Sequence, residues 1–289
     1  MAESRNKIKA IGAPFVLQHS SCSDLVPKTF HWSDEGDTVV HIDRGMFLLT
    51  DSRIPKQRTF GWVCESRFIV PDVYHFLIEK HKLLFETFYN KIFTCDHDLI
   101  NLNSNFIYCP VGSNYPWIKK ENWKIYDKTK ICSMFCSPKK MTEGHIYRHK
   151  IARLALDTGF DVFGGVHGTP RTVIDLRNPW NTKIDGVKDY MFSVVVENGV
   201  YDSYWTEKLT DCFAVGTVPV YWGTKKLPKE FNEAGIIRLE EGNEDIILDS
   251  LSLNLYNSMK QGIVDNFNRL NNLKIADDAV YEEIQKCIS

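Results

Sequence analysis

Between Glu197 and Lys208 the stretch ENGVYDSYWTEK gathers groups that bind phosphates and sugar hydroxyls. Glu197 and Glu207 supply carboxylates, Asn198 an amide, Tyr204 a phenol, Thr206 a hydroxyl and Lys208 an ammonium. Their neighbours say how they are presented. Tyr190 to Val196 is a β-branched and aromatic run, too short for an ordinary helix, and reads as a buried strand. Asp202 or Ser203 is suited to cap a following helix whose apolar positions Tyr204, Leu209, Cys212 and Phe213 share a face, and Gly216 to stop it. Thr217 to Trp222 is a second buried strand. Strand, helix and strand in about 35 residues form a βαβ crossover with parallel strands. Glu197 and Asn198 then stand at a strand's carboxyl end, where open parallel sheets bind ligands. The next helix starts at the same edge, and its unpaired N–H groups attract phosphate. Lys208 near that N-terminus opposes the helix dipole, a balance that a bound diphosphate reverses. The plainer reading makes Glu207 and Lys208 solvated helix residues.

The pattern E-N-x5-Y-x-T-E-K, followed by V-P-V-Y-W-G, resembles the donor-binding motif of glycosyltransferase family 10, the α1,3/1,4-fucosyltransferases. Glu197, Asn198, Tyr204, Thr206, Glu207 and Lys208 match it in order and spacing, and the likeness extends from about Ser133 to Leu239. It implies an inverting transfer of a sugar, GDP-fucose being the family's donor, to a hydroxyl of an oligosaccharide or glycoprotein. UDP-xylose or another UDP-sugar remains an alternative on the same fold, and a non-catalytic sugar-nucleotide-binding protein is a third reading. The fold implied is GT-B, α/β, with two Rossmann-like domains facing across a cleft.

The 289 residues suffice for one large domain or two ordinary ones, and 43% hydrophobic content supports real cores. A net charge of −2 gives no sign of a nucleic-acid partner. Eight scattered cysteines without a C-x-x-C pair argue against structural zinc. With no signal peptide and no apolar run of 18 residues, reduced thiols in a cytoplasm, a host cell's if the source is viral, are expected. The animal enzymes of the family are Golgi membrane proteins, so a short bacterial or viral member fits better.

In chain order, Met1 to Lys9 reads as a frayed end and Ala13 to Leu17 as a first strand. Thr38 to Ile42, Gly45 to Thr50 and Phe60 to Val63 follow as strands. Pro71 and Asp72 open a helix to about Phe88, and strands are expected at Lys91 to Thr94 and Phe106 to Cys109. Alternating strand and helix marks an α/β domain. The lysine- and turn-rich stretch from Gly112 to Lys130 reads as the boundary, dividing an acceptor-side domain at 1–125 from a nucleotide-sugar domain at 126–289. In the second half, Ile131 to Phe135 is a strand and Gly144 to Thr158 a helix. Phe160 to Phe163 and Ile236 to Leu239 are strands, GGVHGTP is a loop, and helices end the chain.

The stretch from Ser137-Pro138 to Arg148 resembles the family's S-N-P…R segment, which implies that Arg148 contacts the donor diphosphate; Arg153 is the nearby alternative. A guanidinium suits two phosphate oxygens at once. Inverting transfer also needs a base for the acceptor hydroxyl. Glu65 is the first choice, because C-E-S at a strand end resembles the family's G-E-N glutamate, and Asp72 and Asp43 compete with it. Arg148, Lys208 and the helix N-terminus can neutralise the leaving diphosphate without a metal, so no cofactor is expected. Asp96-His97-Asp98 has the D-x-D form of metal-dependent transferases and otherwise marks a solvated loop. Tyr190 is a candidate pocket residue, and Trp117, Trp123 and Trp205 are candidates for stacking on an acceptor sugar.

Overall fold

The structure is a computed structural model and describes residues 6–12, 20–22, 25–49, 53–164, 183–229 and 231–288. It divides into two compact units. The first comprises 1–115, 202–204 and 274–289, and the second 116–201 and 205–273.

In the first unit six parallel strands lie in the order β2-β1-β3-β4-β5-β6. They are β1 (Asn6–Ile11), β2 (Phe30–Ser33), β3 (Val39–Ile42), β4 (Thr59–Val63), β5 (Lys91–Thr94) and β6 (Phe106–Tyr108). On one face α1 (Pro71–Thr87) buries Val73, Leu77 and Leu84 against Ile92 and Phe106. Pro71 starts this helix where its missing N–H costs nothing. The short α2 (His97–Leu102) follows β5. The opposite face carries the C-terminal helix, α8 (Ala276–Ile288), whose Ala276, Val280 and Ile284 cover Phe30, Trp32 and Trp62. Asp277 accepts a 2.6 Å hydrogen bond from the Trp32 indole, and Tyr281 stacks on Phe30 at 4.5 Å.

In the second unit five parallel strands lie in the order β11-β10-β9-β7-β8. They are β7 (Lys130–Cys136), β8 (Asp161–Gly164), β9 (Tyr190–Val196), β10 (Val218–Trp222) and β11 (Ile237–Arg238). Helix α3 (Glu143–Asp157) packs Ile151 and Ala155 with Met134, Phe192 and Val194. On the other face α4 (Glu207–Val215) packs Leu209 and Phe213 with Val195 and Tyr221. Strand β9 is buried on both faces, which is why apolar and aromatic residues run along it without alternation, and its one small polar residue, Ser193, is paired with Ser133 Oγ at 3.2 Å. Helices α5 (Glu244–Ser250), α6 (Leu253–Ser258) and α7 (Lys260–Arg269) complete the unit. No helix among the described residues is long and apolar enough to cross a membrane.

Several expectations are corrected. The end read as frayed contains β1, paired with both β2 and β3. Of the strand expected at Gly45 to Thr50, the described residues 45–49 form none: Asp43 turns the chain with φ +47°, and a 3-10 turn at Asp43–Phe47 packs Gly45 against the Ile11 backbone. The units part at 115/116 rather than at 125/126, and the last helix belongs to the first unit. Its apolar stripe covers a sheet face that would otherwise lie open to water. The expected strand at Ala13 to Leu17, and the GGVHGTP loop beyond Gly164, lie outside the described residues.

Candidate active site

The second sheet reverses its winding between β7 and β9. The chain leaves β7 through α3 toward β8, and leaves β9 through α4 toward β10. Connections that diverge from adjacent parallel strands leave a crevice at the carboxyl edge, the usual ligand position in such sheets. Glu197 and Asn198 directly follow β9 at that point, and the first turn of α3 lies directly on them. The Gly144 N–H donates to the Asn198 carbonyl at 3.2 Å, and a Cβ on Gly144 would overlap the Glu197 carbonyl oxygen.

Arg148 comes from α3 and is 6% exposed; its Nη2 donates to the Val196 carbonyl at 2.6 Å. Lys208 comes from α4, and its Nζ lies 3.0 Å from Thr206 Oγ1 and 3.6 Å from Glu197 Oε2. Two cations from two helices thus meet one strand end. Arg153, the alternative, is exposed on α3.

Thr206 is the N-cap of α4, correcting the expected cap at Asp202 or Ser203. The cap stands on Glu197, which is fully buried: its Oε1 accepts from Thr206 N at 2.9 Å and its Oε2 from Thr206 Oγ1 at 2.8 Å. Burial raises the Glu197 carboxyl above its ordinary value, and Lys208 opposes that. Glu197 therefore acts on the crevice by fixing the cap and Lys208. Glu207 is also enclosed. Burial alone would raise it, but Lys208 at 3.5 Å and Lys183 at 3.3 Å hold it down to about 2. Lys183 also pairs with Asp211 and lies 4.4 Å from the centre of the Trp117 ring. The sequence pattern gave no signal for Lys183, which sits 24 residues before its partner Glu207.

Tyr204 is 1% exposed, precedes the helix instead of riding on it, and clusters with the first unit. Tyr190 begins β9, opposite the carboxyl edge, and bonds Asp161 through its hydroxyl at 2.6 Å, so it is not a crevice residue. Trp205 is core against Phe231, and Trp123 donates to the Ile118 carbonyl. Beside the crevice a cavity of about 210 Å³ opens past β10 and β11, lined among others by Val200, Tyr221, Gly223, Lys225 and Arg238. Gly223 joins the two, since a Cβ there would come within 2.9 Å of Glu197 Cγ.

The base candidates lie in the first unit. Asp72 is held by Arg44 in a two-pronged pair, Nε–Oδ2 2.7 Å and Nη2–Oδ1 2.9 Å. That pair keeps its carboxyl below the ordinary value and makes it a weak proton acceptor. Glu65 is exposed just beyond β4. Asp43 lies just beyond β3, and its Oδ1 accepts from the N–H groups of Cys64 at 2.9 Å and Glu65 at 3.2 Å. Burial pushes the Asp43 carboxyl up to about 7. Asp96 caps α2, and both it and Asp98 are paired with Arg67. A cationic side chain therefore already answers the D-x-D carboxylates. Among the described residues no group of three or more His, Cys, Asp or Glu is placed to hold a metal.

Residues 125–236 match the model of glycosyltransferase family 10 (fucosyltransferase), C-terminal part. An alpha-(1,3)-fucosyltransferase of Helicobacter pylori is 30% identical over 59 residues, which are 20% of this chain and 12% of that protein's length. Among solved structures, an alpha1,3-fucosyltransferase with GDP superposes with a TM-score of 0.54 at 15% identity, over 96% of this chain and 94% of that one. An alpha1,3-fucosyltransferase with GDP-fucose gives 0.52 at 14%, over 99% and 91%. A DNA-modifying beta-glucosyltransferase studied with and without uridine diphosphoglucose gives 0.50 at 11%, over 98% and 99%. The chain has the α/β fold of the GT-B glycosyltransferases, and its residues 125–236 are similar to the C-terminal part of glycosyltransferase family 10, the fucosyltransferases.

Proposed function

We propose that the protein is an inverting, metal-independent glycosyltransferase that moves a sugar from a nucleoside diphosphate to a hydroxyl of a glycan. The observation that carries this reading is the meeting of Arg148 and Lys208, from two helices, at the end of β9. Their charges offset the two phosphates, and the cavity past β10 and β11 takes the nucleoside. Glu65 accepts the acceptor proton as that oxygen bonds to the anomeric carbon. The carbon–phosphate-oxygen bond breaks on the opposite face, and the nucleoside diphosphate leaves with the bonding pair. Asp43 holds the Cys64–Glu65 backbone in place.

GDP-fucose is the favoured donor, on the strength of the matched family and the motif residues; a UDP-sugar is the second reading. A thermal-shift screen with GDP, UDP, GDP-fucose and UDP-xylose tests both, because a ligand that binds only the folded state raises the melting temperature. GDP and GDP-fucose are expected to stabilise the protein most. Equal indifference to all four sinks the proposal. Lys208→Ala is expected to abolish most of the shift, and turnover is expected to survive EDTA; activity lost to EDTA and restored by Mn²⁺ rejects the metal-free mechanism.

A further inference from the structure

His145 is the third residue of α3 and is 4% exposed, yet its Nδ1 is buried without a hydrogen-bond partner. A buried polar atom in that state has lost its hydration without gaining a replacement bond, so native proteins leave few of them. Its helical neighbour His149 shows the ordinary solution: Nε2 bonds the Lys139 carbonyl at 3.1 Å and Nδ1 meets the Cys136 sulfur at 3.5 Å. On the same β7–α3 connection the Ser137 hydroxyl is also buried without a partner. Both orphaned groups belong to the connection that flanks the crevice between β7 and β9.

The surroundings of His145 are cationic. Burial first, then the charges of Arg148, Lys139 and Lys208 and the His149 ring, push its imidazole down to about 4, so it is neutral at pH 7. The carboxylate of Glu197, beyond the end of β9, is already engaged by Thr206 and Lys208. The first backbone N–H groups of α3 are taken as well: Gly144 donates to Asn198 O and His145 to Thr142 Oγ1. A ligand in this corner must therefore be met by side chains. An anion with more than one charge is what a neutral N–H among three cations attracts.

We propose that His145 is a third ligand of the donor diphosphate, its Nδ1–H donating to a phosphate oxygen between Arg148 and Lys208. This rests on the sugar-nucleotide reading above and extends it to a residue that the donor motif does not contain. A neutral imidazole supplies a donor without adding a charge when the site is empty. Burial and the neighbouring cations together keep the ring neutral; an entering anion offsets the cations, so diphosphate binding and protonation of His145 favour each other.

The test is calorimetric titration of the wild type, His145→Leu and His145→Asn with inorganic pyrophosphate, GDP and UDP. His145→Leu is expected to weaken pyrophosphate, and whichever nucleoside diphosphate binds, by about tenfold or more. His145→Asn, which keeps an N–H near the Nδ1 position, is expected to recover most of that loss. In the wild type, ¹⁵N NMR of the imidazole is expected to show its titration moving up from about 4 toward neutrality at saturation. This measurement stands even if His145→Leu fails to fold. Unchanged imidazole signals in a protein that binds diphosphate, and loses it in Lys208→Ala, overturn the role of His145 and leave the sugar-nucleotide reading intact. A wild type that binds none of the three probes overturns both.

Discussion

Gly144 and Glu197 touch through their backbones: the first turn of α3 sits so close to the end of β9 that a methyl group on Gly144 would overlap the Glu197 carbonyl. A glycine inside a helix ordinarily costs about 1 kcal/mol relative to alanine. Here the sign reverses. Gly144→Ala is expected to destabilise the protein by about 1–3 kcal/mol, as overpacked sites do, and to weaken nucleotide binding by displacing Arg148. Denaturant melts with a nucleotide titration check this, and a stabilised variant contradicts the close approach.

Asp43 and Glu65 are separable by substitution. Asparagine at 43 keeps an oxygen for the Cys64 and Glu65 N–H groups, and alanine does not. With Glu65 as base, Asp43→Asn is expected to retain kcat within about threefold, Asp43→Ala to lose about tenfold, and Glu65→Gln to lose about 100-fold or more while binding donor normally. If Asp43→Asn loses as much as Glu65→Gln, the proton goes to Asp43. A limb near pH 7 in the rate profile would accompany that outcome, matching the raised carboxyl.

The same carboxyl predicts a stability trend. Folded Asp43 keeps its proton up to about 7, against 3.8 for an ordinary aspartate. Between those values the folded state binds more protons than the unfolded chain. The stabilisation is therefore complete below the ordinary value and lost as pH rises through about 7. The loss across the window is up to ~4 kcal/mol. Urea melts from pH 4 to pH 8 are expected to show a smaller fall in Asp43→Asn than in the wild type; parallel curves would contradict this.

Lys183 separates the enclosed carboxylates of Glu207 and Asp211. Removing one partner of a buried pair leaves the other charges uncompensated, so Lys183→Met is expected to cost about 3–5 kcal/mol. Asp211→Asn in the same chain is expected to restore part of this, because Asp211 Oδ1 also accepts from Trp117 N at 2.8 Å and Ile118 N at 3.0 Å, and an amide oxygen can do the same. Thermal unfolding of the single and double variants measures the coupling.

The amino-acid sequence by itself determined the β9–α4–β10 crossover and the position of Lys208 near its helix start. Both follow from apolar runs and stop residues within about 35 positions of one another, and local backbone preference reads over that range. It also gave α1 and α3, whose apolar stripes repeat at helical spacing. Tertiary structure alone decided which residue caps α4, because Thr206 became the cap only when Glu197, nine positions earlier, was folded beneath it. It also decided that Lys183 closes the carboxylate cluster, that α8 returns to the first unit, and that His145 Nδ1 is buried without a partner under the influence of the charges of Arg148 and Lys208. These depend on strand order, and strand order is set by contacts between residues far apart in the chain, which no local pattern of residue types contains.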